Sequence, residues 1–168
     1  MNMAEPMVGQ DAVAFYLLSE QVSKHTKVVL SGQGADEAFA GYFWYARMDN
    51  EDGDEIERGS KHYVDRPHEE YLQTVANRYR GENHTRSWLN KEFSKPGADS
   101  FIDKVFRTDM TRLIVDDPVK RVDNMTMAWG LEARVPFMDT ELVEWALSIP
   151  PSLKMKEEGK HPLKNIAR

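Results

Sequence analysis

The sequence contains no cysteine. That excludes disulfides, a thiol nucleophile and thiolate metal ligands, and it fits a reducing cytoplasm, where the protein is expected to reside. No apolar run reaches membrane-spanning length, so no membrane association is expected. Residues 1–9 carry no basic stretch followed by an apolar one, which argues against a secretory leader. Basic residues are outnumbered: 22 Lys and Arg stand against 28 Asp and Glu, a net charge of −6. Nonspecific nucleic-acid binding is therefore disfavoured, and the acidic balance is an ordinary route to solubility. The five histidines include no pair one helical turn apart, so no zinc site is expected. No Ser-His-Asp set with a nucleophile motif is present. At 168 residues, one domain with its own core is the natural expectation.

Helical spacing of apolar residues dominates what is there. Residues 11–24 place Val13, Tyr16 and Leu17 on one side, widened by Phe15, Leu18 and Val22. A second amphipathic stretch, 101–115, repeats Phe101, Ile102, Val105, Phe106, Met110, Leu113 and Ile114 at helical intervals. Asp99 or Ser100 is placed to cap it. Pro118 is expected to separate it from a helix over 119–129. A further helix spans 140–148, capped by Asp139 and stopped by Pro150 and Pro151. Pro67 suits the first turn of a helix running to Arg80, with Gly81 as its stop. The polar, acidic segment 49–65 reads as a mobile loop, and 94–100, with Pro96 and Gly97, as a linker. Only Lys27-Val28-Val29-Leu30 reads as a buried strand, of the kind found in parallel sheets. A buried strand needs partners for its backbone groups. No second segment stands out, so its partners are expected outside these 168 residues.

That strand runs into Ser31-Gly32-Gln33-Gly34-Ala35-Asp36-Glu37. Two glycines let the backbone turn sharply and bring amide groups close to a ligand. The helix start after them favours an anion. Asp36 beside phosphate would require a divalent cation such as Mg²⁺. An ordinary strand-to-helix turn with an acidic first helical turn explains the same residues without a ligand. The string is neither a Walker loop, having no Lys-Ser or Lys-Thr, nor a dinucleotide fingerprint, lacking the third glycine.

Three ordered blocks carry a resemblance. Val28 to Glu37, with Gly41-Tyr42, resembles the second signature of the asparagine synthetase family of glutamine-dependent class II amidotransferases. Arg121 to Ala128, followed by Leu131-Glu132-Ala133-Arg134-Val135-Pro136-Phe137-Met138-Asp139, resembles a later block. Ile149-Pro150, Leu153-Lys154, Lys160 and Leu163-Lys164 resemble its tail. The resemblance implies an α/β parent fold of the ATP-pyrophosphatase (adenine nucleotide alpha-hydrolase-like) type, of which this chain is a mainly α-helical part. It implies ATP and Mg²⁺ as cofactors, adenylation of a small-molecule carboxylate acceptor, and amination with ammonia from a glutaminase domain of the same parent chain. Ser31, Gly32 and Gly34 match ATP-binding positions, and Asp36 matches the acid near Mg²⁺-pyrophosphate. Gln33 stands where the family usually has a catalytic Glu. A carboxamide keeps the shape but cannot act as a base. Together with Phe43-Trp44-Tyr45 and Asn124, it points to relatives that amidate N-acetylglutaminylglutamine.

The family's upstream pyrophosphate loop, glutaminase domain and catalytic lysine have no match here. All 168 residues are therefore expected to form part of one synthetase domain, inactive when isolated. Glu37, Asp123 and Arg134 are candidates for a supporting polar network; Glu132, Arg134 and Asp139 also fit ion pairs and caps. Lys160 and Lys164 could neutralise phosphate, or simply lie in solvent. Two alternatives stand beside this reading. One is a helical interaction domain that kept the fold and lost catalysis. The other is an asparagine synthetase acting on aspartate.

Overall fold

A computed structural model describes residues 9–168; the expectation of no leader falls on residues 1–8, outside them. The chain is mainly helical with one small parallel sheet, in keeping with the expected class. Helix α1 (Asp11–Ser23) leads to strand β1 (Val28–Leu30). Then come α2 (Ala35–Phe39), α3 (Trp44–Asn50), α4 (Glu55–Tyr63), α5 (His68–Thr74) and α6 (His84–Phe93). Helix α7 (Phe101–Thr108) continues through two wide π-type segments, Asp109–Leu113 and Val115–Val119, into α8 (Lys120–Met127). Strand β2 (Glu132–Arg134) precedes α9 (Thr140–Ser148), α10 (Pro151–Lys154) and α11 (His161–Ile166).

Strand β1 finds a partner within the chain, contrary to expectation. It pairs in parallel with β2, with Val28 opposite Glu132, Val29 opposite Ala133 and Leu30 opposite Arg134. Glu132 N donates to Lys27 O at 2.9 Å and Ser31 N to Arg134 O at 2.8 Å. Glu-Ala-Arg has no β-branched run, so this strand is set by pairing and not by propensity. Among the described residues only one edge of β1 is used, and Leu30 stays 75% exposed.

The polar segment 49–65 is not a loop throughout. Asp54 accepts from the amides of Ile56 and Glu57, and Glu57 reaches back to Asp54 N. This capping box nucleates α4 where hydrophobic spacing gives little signal. The helix expected over 67–80 ends at Thr74 and resumes only as a short 3-10 turn, Asn77–Tyr79. Helix α6 is an element that the apolar spacing does not predict; Asn83 caps it by accepting from Arg86 N at 2.9 Å. Pro118 does not break the long helix. Widened turns relieve the clash between the proline ring and the preceding turn.

One core gathers Tyr45, Met48, Leu89, Phe93, Phe101, Ile102, Val105 and Phe106 from α3, α6 and α7. A second joins Ala38 and Phe39 of α2 to Met110 and to Ala146 of α9. Two of the expected caps hold: Ser100 Oγ accepts from Asp103 N, and Asp139 Oδ1 accepts from Leu142 N at 3.2 Å. Helix α1 departs from its expected core role. Tyr16 packs on Trp129 at 5.1 Å between ring centroids, whereas Val13, Leu17 and Leu18 are exposed. No helix among the described residues is long and apolar enough to cross a membrane.

Candidate functional site

The Ser31–Glu37 turn leaves the carboxyl end of the parallel pair, the edge where open α/β sheets place ligands. Its two glycines do different jobs. Gly34 has φ 95°, and a Cβ there would lie 2.9 Å from the Met138 sulfur and 3.2 Å from the Phe137 carbonyl carbon. The fold alone demands it. Gly32 has no such constraint: a Cβ would meet nothing within 4 Å. Neither packing nor a positive φ explains its missing side chain, so the bare backbone leaves space above the turn. The amides of Gly32, Gln33 and Gly34 donate to no described residue. Successive free N–H groups of this kind form a concavity suited to an anion. Helix α2 has only five residues, so these local amides carry the attraction rather than a long helix dipole.

Three segments converge on Asp36. Its Oδ1 lies 2.8 Å from Lys160 Nζ, and Lys160 N donates to Phe39 O at 2.9 Å. Gly41 and Gly159 permit the approach. A Cβ on Gly41 would lie 2.1 Å from Asp36 Oδ1, and one on Gly159 would lie 1.9 Å from Ala40 O. Ala40 closes α2 in the left-handed region with φ 57°, and Gly41 N donates to Asp36 O at 2.8 Å. The lysine read from sequence as a residue that could simply lie in solvent is thus the direct partner of the candidate acid. The two glycines mark the meeting point: Gly159 lies against the Ala40 backbone, and Gly41 against the Asp36 and Lys160 side chains.

Glu37 turns the other way, into the protein. It is 3% exposed, and Tyr42 Oη donates to its Oε1 at 2.7 Å. Burial and then this carboxylate push the Tyr42 phenol well above its usual range. Nearby, Asp109 Oδ2 accepts from Tyr45 at 2.6 Å and its Oδ1 from Tyr63 at 2.7 Å. Burial raises the Asp109 carboxyl from 3.8 to about 7, with the two tyrosine hydrogen bonds pulling it down and Glu37 pushing it up. Glu37, Tyr42, Trp44, Tyr63, Asp109 and Asp117 face a cavity of about 260 Å³. The Asp109 cluster was not legible in sequence, since its members lie up to 64 positions apart.

The other candidates are placed differently. Gln33 is half-buried, and its carboxamide bonds to no described residue. Arg134 sits opposite Leu30 at the foot of the turn, but its side chain is exposed, as are Asp123 and Glu132. Among the described residues these three form no ion pair, so the supporting network reduces to Asp36, Glu37 and their partners. Lys164 Nζ donates to the Glu157 carbonyl. A groove of about 920 Å³ runs among α4, α5 and α6 and contains no residue of the turn. Geometry and chemistry favour the turn over the larger groove, which gathers residues from a segment without motifs.

The free amides and the Asp36–Lys160 pair fit a nucleotide phosphate with Mg²⁺. No group of three His, Asp or Glu set to hold a metal occurs among the described residues. A single carboxylate beside phosphate oxygens is the usual way of binding Mg²⁺.

Comparison with known proteins agrees with the motif reading. The asparagine synthase family profile matches residues 2–168. A Methanocaldococcus jannaschii protein named as a glutamine-hydrolysing asparagine synthetase is 34% identical over 151 residues, covering 89% of this chain and 19% of that protein. Asparagine synthetase 1 of Bacillus subtilis, also named glutamine-hydrolysing, is 27% identical over 185 residues, covering 90% of this chain and 29% of its own length. The chain thus spans less than a third of these relatives.

Proposed function

The chain belongs to the asparagine synthase family, and from that footing we propose that it forms one wall of the ATP-dependent, amide-forming site of a longer glutamine-hydrolysing synthetase. The observation that carries this is the Ser31–Glu37 turn, with three free amides beside an Asp36 carboxylate held by Lys160. The free amides of Gly32, Gln33 and Gly34, with the Ser31 hydroxyl beside them, would cradle phosphate, and Asp36 would share Mg²⁺ with it. ATP, when bound, supplies the leaving group that makes a carboxylate electrophilic. Lys160 then offers a positive charge next to the phosphates, where negative charge builds as the bond to the leaving group breaks.

Gln33 borders the same turn. Its carboxamide donates and accepts hydrogen bonds but takes no proton. In this reading it orients the acceptor, and the nitrogen nucleophile loses its proton elsewhere. The acceptor is a small carboxylate: aspartate, or a glutamine-containing dipeptide. Ammonia comes from a glutaminase domain of the parent protein. The 168-residue chain alone supplies no ammonia source and is inactive in this reading.

Gln33 also favours a second reading, a family member that binds a partner without catalysis. The test is AMP and pyrophosphate release by the full-length protein with Mg²⁺-ATP, glutamine and each acceptor. Amide formation with one of them supports the synthetase reading. No AMP with any carboxylate, from protein that still binds Mg²⁺-ATP, favours the non-catalytic one.

A further inference from the structure

Lys160 already supplies a cation to the carboxylate that would share Mg²⁺. Its Nζ lies 2.8 Å from Asp36 Oδ1, and both side chains are about a third exposed. A dication on either oxygen of that carboxylate would stand within a few ångströms of the ammonium. Like charges that close repel strongly away from bulk water. Phosphate changes the balance, because it offers the ammonium a new partner beside the metal.

The turn that carries Lys160 is strained. Glu157, Glu158, Gly159 and Lys160 have φ of 51°, 64°, 83° and 53° in succession. Three of them carry a Cβ, and residues other than glycine visit this region singly and at a cost. Such a run persists only where its surroundings hold it. Helix α11 clamps one end: Arg168 pairs with the Glu157 carboxylate at 3.1 Å, and Lys164 donates to the Glu157 carbonyl. Helix α2 clamps the other: Phe39 O accepts from Lys160 N at 2.9 Å, and Asp36 holds the Lys160 side chain. Of these ties, the Asp36 pair is the one that a metal ion on the carboxylate would break.

We propose that Lys160 is a built-in competitor for the metal position at Asp36, held there by the strained 157–160 turn and displaced when Mg²⁺ and nucleotide bind together. Asp36 passes from the ammonium to the metal, Lys160 turns to phosphate, and the 157–160 turn loses one of its clamps. The proposal rests on the amide-forming reading and adds a regulation of the same site. Metal alone works against the ion pair, whereas metal with nucleotide gives the displaced ammonium a partner. Each of the two therefore raises the affinity for the other.

The test is Mn²⁺ binding to the full-length protein without nucleotide, read from the electron paramagnetic resonance signal of the free ion. Lys160→Gln should bind Mn²⁺ about threefold more tightly than the native protein, the scale of a partly exposed ion pair, while its Mg²⁺-ATP affinity falls. A purely structural role for Lys160 would lower both affinities, and a phosphate contact alone would leave Mn²⁺ binding unchanged. Either result overturns the proposal. A second arm needs no variant: hydrogen exchange over residues 157–161 of the native protein should speed up when Mn²⁺ is added. Unchanged or slower exchange in the Mn²⁺-bound protein overturns the proposal as well. Asp36→Asn tells the two readings apart. If it leaves Mn²⁺ binding unaltered, or if no form binds the ion, the amide-forming reading fails and takes the proposal with it. Binding lost in Asp36→Asn but unchanged in Lys160→Gln overturns the competition alone.

Discussion

Replacing Asp109 with Asn should remove most of a pH dependence of folding that the native chain carries. Asp109 is 2% exposed, and burial raises its carboxyl from 3.8 to about 7. Between those values the folded state holds a proton that the unfolded chain has released. Stability from this group is therefore fully present below pH 3.8, falls as pH rises towards about 7, and is flat above it. At about 1.4 kcal/mol per tenfold difference in proton affinity, the full change is on the order of 4 kcal/mol. An Asn accepts from one tyrosine and donates to the other, so exchanging the hydrogen bonds costs roughly 1 kcal/mol. The variant should fall below the native chain by roughly 1 kcal/mol at pH 3, match or slightly exceed it at pH 5, and exceed it by roughly 3 kcal/mol at pH 8. Urea unfolding of both chains from pH 3 to 8.5 measures the difference directly. Parallel stability curves would refute the reasoning, because the carboxyl would then titrate alike in the folded and unfolded states.

Gly159→Ala should destabilise the chain by at least about 2 kcal/mol, because the new Cβ meets the Ala40 carbonyl at φ 83°; thermal melting checks this, and Mg²⁺-ATP binding should weaken with it. Asp36→Asn should leave the fold intact, since the carboxylate is only half-buried, yet weaken Mg²⁺-ATP at least tenfold by equilibrium titration; unchanged affinity would remove Asp36 from the site. Lys154 is fully buried, donates to Ala146 O at 3.1 Å and lies over the Phe106 ring at 4.2 Å. Burial lowers its ammonium from 10.5 to about 8. The folded state thus binds fewer protons than the unfolded one between those values, and stability from this group rises as pH climbs from about 8 to 10.5. Lys154→Met should melt at least as high as the native chain at pH 7, with its advantage shrinking towards pH 10.

Local patterns in the sequence located much of this molecule. Helical spacing and side-chain caps marked α7 and α9, whose Ser100 and Asp139 act as read. The glycine turn after β1 was visible because a left-handed residue must be supplied locally. Helix α4 was hidden by its polar composition, although its capping box is written in Asp54 and Glu57. Helix α1 differs in the opposite direction: Val13, Leu17 and Leu18 of its apolar side are exposed, because periodicity shows that a face is apolar without showing what covers it.

By itself the sequence determined the family, the motif order and the residue types of the Ser31–Glu37 turn. These depend on residue type at short spacing, which a linear reading preserves. Tertiary structure decided the pairing of β1 with Glu132–Arg134 and the meeting of Asp36 with Lys160. It also decided the burial of Asp109 between Tyr45 and Tyr63. Each of these joins groups far apart in the chain. Their energies come from desolvation and close backbone crossing, quantities that exist only once the chain has folded.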